Sequence, residues 1–296
     1  MKKIPYALLL LTLLTSPTFA QKRADREEWQ SLFNGKDLSN WDIKITGYPL
    51  GENYGNTFRV EKDMIRIAYD QYDRFEGRFG HMYYEQPFSY YKLRFEYRFT
   101  GTQTPGGATW NVRNSGVMFH SQSAESVELK QDFPVSLEVQ TLGGLSNGKP
   151  RPTANLCSPG TLVKQKGQLN PLHCIESTSE TYDGDRWVAV EVLVLADSLI
   201  EHRVAGRTVL AYERPVTDGV FINRENDFEK AGIVKAAAWR AKAGTPLREG
   251  YIALQAESHP IDFRNIRLLP LKGCMNRKAK NYKSYYVVGD EGACVF

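Results

Sequence analysis

The sequence predicts an all-β protein built as a two-sheet β-sandwich or jelly roll. Three observations carry this. Many short stretches alternate apolar and polar residues. Gly, Asn, Asp and Pro punctuate the gaps between them. No window of adequate length repeats with a helical period of about 3.6 residues, so there are no alternating helices to cover a parallel sheet.

The elements follow in order. Residues 57–61 (TFRVE) and 64–68 (MIRIA) read as a strand pair. Residues 92–99 (KLRFEYRF) alternate strictly, with apolar residues at odd positions. Strands are also expected at 116–120, 135–141, 187–195, 199–205, 208–212, 250–256 and 263–270. The one helix-like segment is 230–243 (KAGIVKAAAWRAKA). One domain of about 240 residues is normal for a sandwich and buries a substantial core.

The first twenty residues read differently. MKK gives a positive start, ALLLLTLLTS an apolar run, and Thr18-Phe19-Ala20 a small-residue cleavage pattern, so residues 1–20 are expected to be a secretory signal peptide. No later stretch reaches about 18 continuous apolar residues, so no transmembrane segment is expected in the mature chain. The protein is then exported to the periplasm, the outer surface or the medium. The chain has 38 basic and 34 acidic residues, a balance that gives no support to nucleic acid or an anionic membrane as partner.

Four cysteines, Cys157, Cys174, Cys274 and Cys294, read as two disulfides in an oxidising compartment. Of the three possible pairings, Cys157–Cys174 and Cys274–Cys294 each close a short segment and are expected. A zinc site is the rival reading, but the spacings are not those of paired C-x-x-C ligands. The tail from 271 to 296 lacks a hydrophobic run and is bracketed by Cys274 and Cys294. It is expected to be a small appendage closed by its disulfide, which the loop-entropy argument values at ~3 kcal/mol. Only Asp290 and Glu291 precede its second cysteine closely, which argues against calcium there.

The strand FPVSLEVQTLGG (133–144) raises the functional question, because Glu138 and Gln140 share one face of a strand whose other face is apolar. A laminarinase-type retaining enzyme would carry two acids at such a spacing. Gln140 neither donates a proton as an acid nor attacks as a carboxylate, so that chemistry fails at one residue. In NSGVMFH (114–120), parity places Asn114, Met118 and His120 on the face of Glu138 if the strands are neighbours. In QAESHP (255–260), Gln255 and Glu257 share a face and His259 follows at a strand end, where Pro260 stops ladder pairing. Glu257 and His259 read as a general base, as half of a metal site, or as a locally bonded turn. His81 follows Gly80 at a strand start. Trp41 and Trp187 read as packing residues rather than sugar platforms.

Several motifs in register add a resemblance. LFNGKDLSNW, FRVEKDMIRI, LRFEYRF, NSGVMFH, LEVQ and GYIALQAESHPIDFRNIRL stand in an order similar to that of the 3-keto-disaccharide hydrolase family, over residues 27–270. The insert RPTANLCSPGT with HCIESTSETYDGDRWV resembles one branch of that family, which fits a Cys157–Cys174 bridge. The resemblance implies a concanavalin-like or laminin-G-like jelly roll and a carbohydrate substrate, a 3-keto-glycoside. It implies cleavage by proton abstraction at C2, elimination at C1 and hydration, which needs a base, an acid or metal on the ketone, and donors for the enolate. On this reading Glu138, His120 and His81 are the catalytic candidates. Asn114, Gln140, Gln255, Glu257, His259 and Arg113 are the substrate contacts. Glu138, His120, Glu257 and His259 are the candidate ligands of a divalent metal, calcium or zinc. The alternatives are a non-catalytic carbohydrate-binding sandwich, or a surface interaction protein that uses the cysteine tail.

Overall fold

The computed structural model describes residues 25–222 and 227–296, so the expected signal peptide lies outside the described residues. The chain divides into two compact units. The larger, Trp29–Leu271, is a two-sheet β-sandwich.

Its strands in chain order begin with β1 (Gln30–Ser31), β2 (Trp41–Ile45), β3 (Phe58–Glu61), β4 (Met64–Ile67), β5 (Gly80–Tyr84) and β6 (Tyr90–Phe99). Then come β7 (Asn114–Ser121), β8 (Leu137–Leu142), β9 (Asn155–Cys157), β10 (Thr161–Gln165), β11 (Gln168–Asn170) and β12 (Cys174–Ile175). The last are β13 (Val188–Leu195), β14 (Leu199–Val204), β15 (Arg207–Thr217), β16 (Tyr251–Ala256) and β17 (Ile261–Pro270). One sheet has the order β11-β10-β15-β14-β13-β6-β17-β4-β3, with β1 added on β17. The other has the order β12-β9-β8-β7-β16-β5-β2, and every pairing in both is antiparallel.

The core lies between the two sheets. Leu93, Phe95 and Phe263 from the first meet Val117, Val139 and Leu254 from the second in one buried cluster. Strand β6 shows the physics plainly: its odd residues are buried, and its even residues stay partly or fully open to water. The first sheet also buries Asp262, which two guanidinium groups hold: Arg66 at 2.7 and 3.0 Å, and Arg98 at 2.7 Å. A carboxylate so enclosed is stable only because it is paired and hydrogen-bonded.

The second sheet is different, because its outer face is covered too. Strand β7 is buried at every residue and β5 likewise. Tyr83, Met118 and Ala253, on three neighbouring strands, pack under Ala124 and Val127. Another layer joins Val135 to Phe221, Phe228 and Ile233, and Phe133 packs against both layers. The expected helix at 230–243 shrinks to α1, Ala236–Arg240. Gly232 explains where it fails. Its φ is +79°, and a Cβ there would fall 1.8 Å from the Lys130 carbonyl oxygen, so the chain must turn at a glycine.

The smaller unit combines the described residues up to Glu28 with Lys272–Phe296. Strands β18 (Lys272–Gly273) and β19 (Val288–Gly289) pair in parallel, and the Cys274–Cys294 disulfide closes it. The Asp25 carboxylate accepts bonds from the Ser284 N–H and hydroxyl, both at 2.7 Å. Among the described residues of both units, no helix is long and apolar enough to cross a membrane.

Candidate active site

Strand β8 builds the site. Leu137 and Val139 enter the core, so alternation turns Glu138 and Gln140 to the covered outer face. They open on a cavity of about 240 Å³, lined also by Asn114, Glu257, Trp110, Phe133, Ile222, Pro159, His173 and the Cys157–Cys174 bridge. The floor is polar and the walls are mostly apolar, the usual make-up of a small-ligand site.

Two neighbours shape the floor. Gly116 lies opposite Gln140 on β7. A Cβ at that position would stand 2.2 Å from Glu138 Oε1 and 2.6 Å from its Cδ, so the missing side chain makes room for the carboxylate. Gln140 Oε1 accepts a bond from Asn155 Nδ2 at 3.1 Å, and Asn155 Oδ1 accepts the Ser177 N–H at 2.9 Å. That chain fixes the Gln140 amide and commits its oxygen. Its N–H groups have no partner among the described residues.

Electrostatics single out Glu138 and Glu257. Burial pushes both carboxyls above their ordinary range, and Glu257 is raised further by the charge of Glu138. Two such groups cannot both ionise cheaply, so the pair holds a proton at neutral pH. Among the described residues, several uncharged groups near them are buried without hydrogen-bond partners: Asn114 Oδ1, both amide atoms of Gln255, His81 Nε2 and His173 Nδ1, along with Glu257 Oε2.

The sequence candidates separate into three sets. Glu138, Gln140, Asn114 and Glu257 line the cavity together. Gln255 and His81 are paired in register on the same face, but they are fully covered. The His81 ring lies edge-on to Phe133, 6.1 Å away, and burial lowers its pKa to about 3, leaving it neutral. His120, His259 and Arg113 are outside this group.

The expectation that His120 faces the way of Glu138 is corrected. Its φ is +46°, and β7 loses register with β16 there, so the alternation slips. His120 Nε2 instead meets the Ala196 carbonyl at 3.1 Å. His259 fails for the same reason. Ser258, at φ +77°, turns the chain so that His259 packs edge-on against Phe99. Arg113, at φ +48°, sends its guanidinium to Asp185 and the Gly184 carbonyl. With both histidines turned away, the candidate metal set Glu138, His120, Glu257 and His259 is not assembled. The one group of three ligand atoms within 4.8 Å among the described residues is Cys157, His173 and Cys174, and its thiols are spent in the disulfide.

Sequence reasoning missed Trp110, Phe133 and His173. Trp110 is 54% exposed, and its ring lies parallel to Phe79 at 6.3 Å. Only its place after a Gly- and Thr-rich loop marked it. His173 had a clearer signal, since it immediately precedes a bridged cysteine.

The family model of the 3-keto-alpha-glucoside-1,2-lyase-like domain matches residues 28–269. The chain belongs to this family. No curated protein matches it. Among solved structures, it is similar to a provisionally assigned glycosyl hydrolase from Parabacteroides distasonis, at 15% identity and TM-score 0.48, covering 82% of this chain and 99% of the other. It is also similar to a galectin-like protein of unknown function from Bacillus subtilis, at 11% identity and TM-score 0.47, covering 83% and 97%. A third is the carbohydrate-binding module CBM66 of Bacillus subtilis, at 11% identity and TM-score 0.40, covering 76% and 96%.

Proposed function

We propose that this protein cleaves glycosides whose sugar is oxidised at C3. The observation that carries the reading is the buried Glu138–Glu257 pair, set in a cavity whose other polar side chains are neutral amides and one imidazole. A ketone at C3 acidifies the proton on C2. Ionised Glu138 takes that proton, and the C–H electrons move into an enolate on O3. Amide N–H groups of Gln140 and Asn114 donate to that oxygen, where charge develops. The enolate collapses and expels the C1 substituent. Glu257, held protonated by burial and by the charge of Glu138, gives its proton to the leaving oxygen. Water then adds across C1 and C2 and yields the free 3-keto sugar. No oxocarbenium ion forms and no carboxylate attacks carbon. The two disulfides fit an oxidising compartment, and so an exported protein of the periplasm, outer surface or medium.

The test is incubation with a 3-keto-glucoside and, separately, with the ordinary glucoside. The expected result is cleavage of the keto sugar alone, with Glu138→Gln slowing it at least ~100-fold while the fold persists. Unchanged turnover in that variant rejects Glu138 as the base. Cleavage of the ordinary glucoside would move the reading to a two-carboxylate glycosidase. Binding without cleavage would leave a carbohydrate-binding module.

A further inference from the structure

The wall beside Glu138 is a disulfide. Cys157 on β9 is the register partner of Glu138, and Cys174 on β12 is the register partner of Cys157. One row across three strands therefore runs from the carboxylate to the bridge. Strand β12 is two residues long and lies at the sheet edge. So short a ladder frays readily, and the S–S bond across a separation of 17 residues pins it.

What that edge carries is His173. Its carbonyl accepts bonds from the Ser158 N–H at 2.9 Å and the Ser158 hydroxyl at 3.0 Å, so its backbone is fixed. Its ring Nδ1 is buried without a hydrogen-bond partner among the described residues, and the Ser158 backbone is the one group that acts on the ring by hydrogen bonding. It is the one histidine that lines the cavity. His202 is the contrast, a core imidazole with both nitrogens bonded, at 2.9 and 2.8 Å. Burial lowers the His173 pKa to about 4, so at neutral pH the ring is uncharged and both donates and accepts.

We infer that His173 contacts the substrate in this cavity, and that the Cys157–Cys174 bridge acts through it as a positioning device. The kinetic consequence rests on the proposed keto-glycoside cleavage; the placement of the ring does not.

The experiment compares wild type, His173→Ala, His173→Gln and the double variant Cys157→Ala/Cys174→Ala. On a 3-keto-glucoside, His173→Ala should raise KM about tenfold with kcat within about threefold, the loss of one ground-state hydrogen bond. His173→Gln, which keeps a donor and an acceptor, should recover most of it. The cysteine double variant should raise KM similarly. Adding it to His173→Ala should change KM less than about twofold, because both act through one ring. An unchanged KM in His173→Ala, or fully additive effects, overturns the inference. The imidazole proton–carbon NMR signal of His173 gives a second readout that needs no turnover. It should move when the sugar is added to wild type, and should collapse to the position of an exposed histidine in the cysteine double variant. A signal indifferent to both refutes contact and positioning even if the keto sugar is never cleaved. Cleavage by wild type with a silent His173 refutes the inference alone.

Discussion

Replacing Gly116 with alanine should disable the site while sparing the fold. A Cβ at residue 116 meets Glu138 Oε1 at 2.2 Å and both Cδ and Cγ at 2.6 Å. Ordinary carbon contacts lie near 3.5 Å, so the carboxylate must retreat by roughly 1.3 Å. The backbone does not resist, because Gly116 is not among the positive-φ residues, and alanine is better than glycine in a strand by about 0.5–1 kcal/mol. Glu138 has somewhere to go, since it opens on the cavity. A misplacement of about 1 Å costs on the order of 100-fold in rate, equivalent to ~2.7 kcal/mol of transition-state stabilisation. Turnover of a 3-keto-glucoside and thermal melting, measured on the same preparations, test this. The expectation is a kcat lowered about 100-fold with a melting temperature within a few degrees of wild type. A kcat within about threefold of wild type would show that Glu138 does not use the space over Gly116 for its chemistry. An unfolded variant would show that the carboxylate had no room to move.

The other expectations concern the second carboxyl and the cavity mouth. Glu257 is raised above its ordinary value of 4.5 by burial and by Glu138, so the folded protein keeps a proton that the unfolded chain releases. Stability should fall as pH rises past about 4.5, and Glu257→Gln should remove part of that fall. Urea midpoints of variant and wild type should agree near pH 4 and favour the variant at pH 7; parallel curves across that range reject the raised carboxyl. Trp110→Ala should raise KM about tenfold for keto-glycosides with a ring as leaving group, and much less for the methyl glycoside, because the exposed indole offers a flat apolar face. Equal effects on both substrates would show that Trp110 does not touch the leaving group.

The strands were legible because a half-buried strand writes its own pattern. Residues 92–99 alternate in sequence and β6 alternates in burial. Glu138, Gln140 and Asn114 were found by the same parity, which holds across β7 and β8 while their register is regular. Parity failed at His120, while His259, read as a strand-end residue before Pro260, does lie in a turn but one that aims it away from the cavity. A left-handed residue, His120 itself or Ser258 before His259, shifts every later side chain, and nothing in the local sequence announces it. His173 and Trp110 lay beyond any period-based reading, because loops and a disulfide bring them to the cavity. The pairing of Glu257 with Glu138 also needed the sheet order, which sets β7 between β8 and β16.

That sheet order gathers unpartnered polar groups beside the cavity at a cost to the fold. An unpartnered buried polar group costs about 1–3 kcal/mol, against a total stability of roughly 5–15 kcal/mol for a typical domain. Buried side chains such as His202, Thr57, Ser115 and Tyr97 are bonded, whereas Tyr91 Oη, His120 Nδ1 and both His259 nitrogens, away from the cavity, share this cost among the described residues. On the outer face of β5, β16 and β7 such groups adjoin the cavity: Gln255, with both amide atoms unpartnered among the described residues, sits between His81 and the start of β7. A chain selected for stability alone would replace these side chains with apolar ones, as it has done one step along the same face at Met118 and Ala253. Unpaired amides and imidazoles beside a proton-holding carboxyl pair are what a reaction requires when it must stabilise an oxyanion and move a proton without a fixed charge at the carbon. On the proposed reaction, the same polar groups that weaken the fold would supply the hydrogen bonds of the transition state.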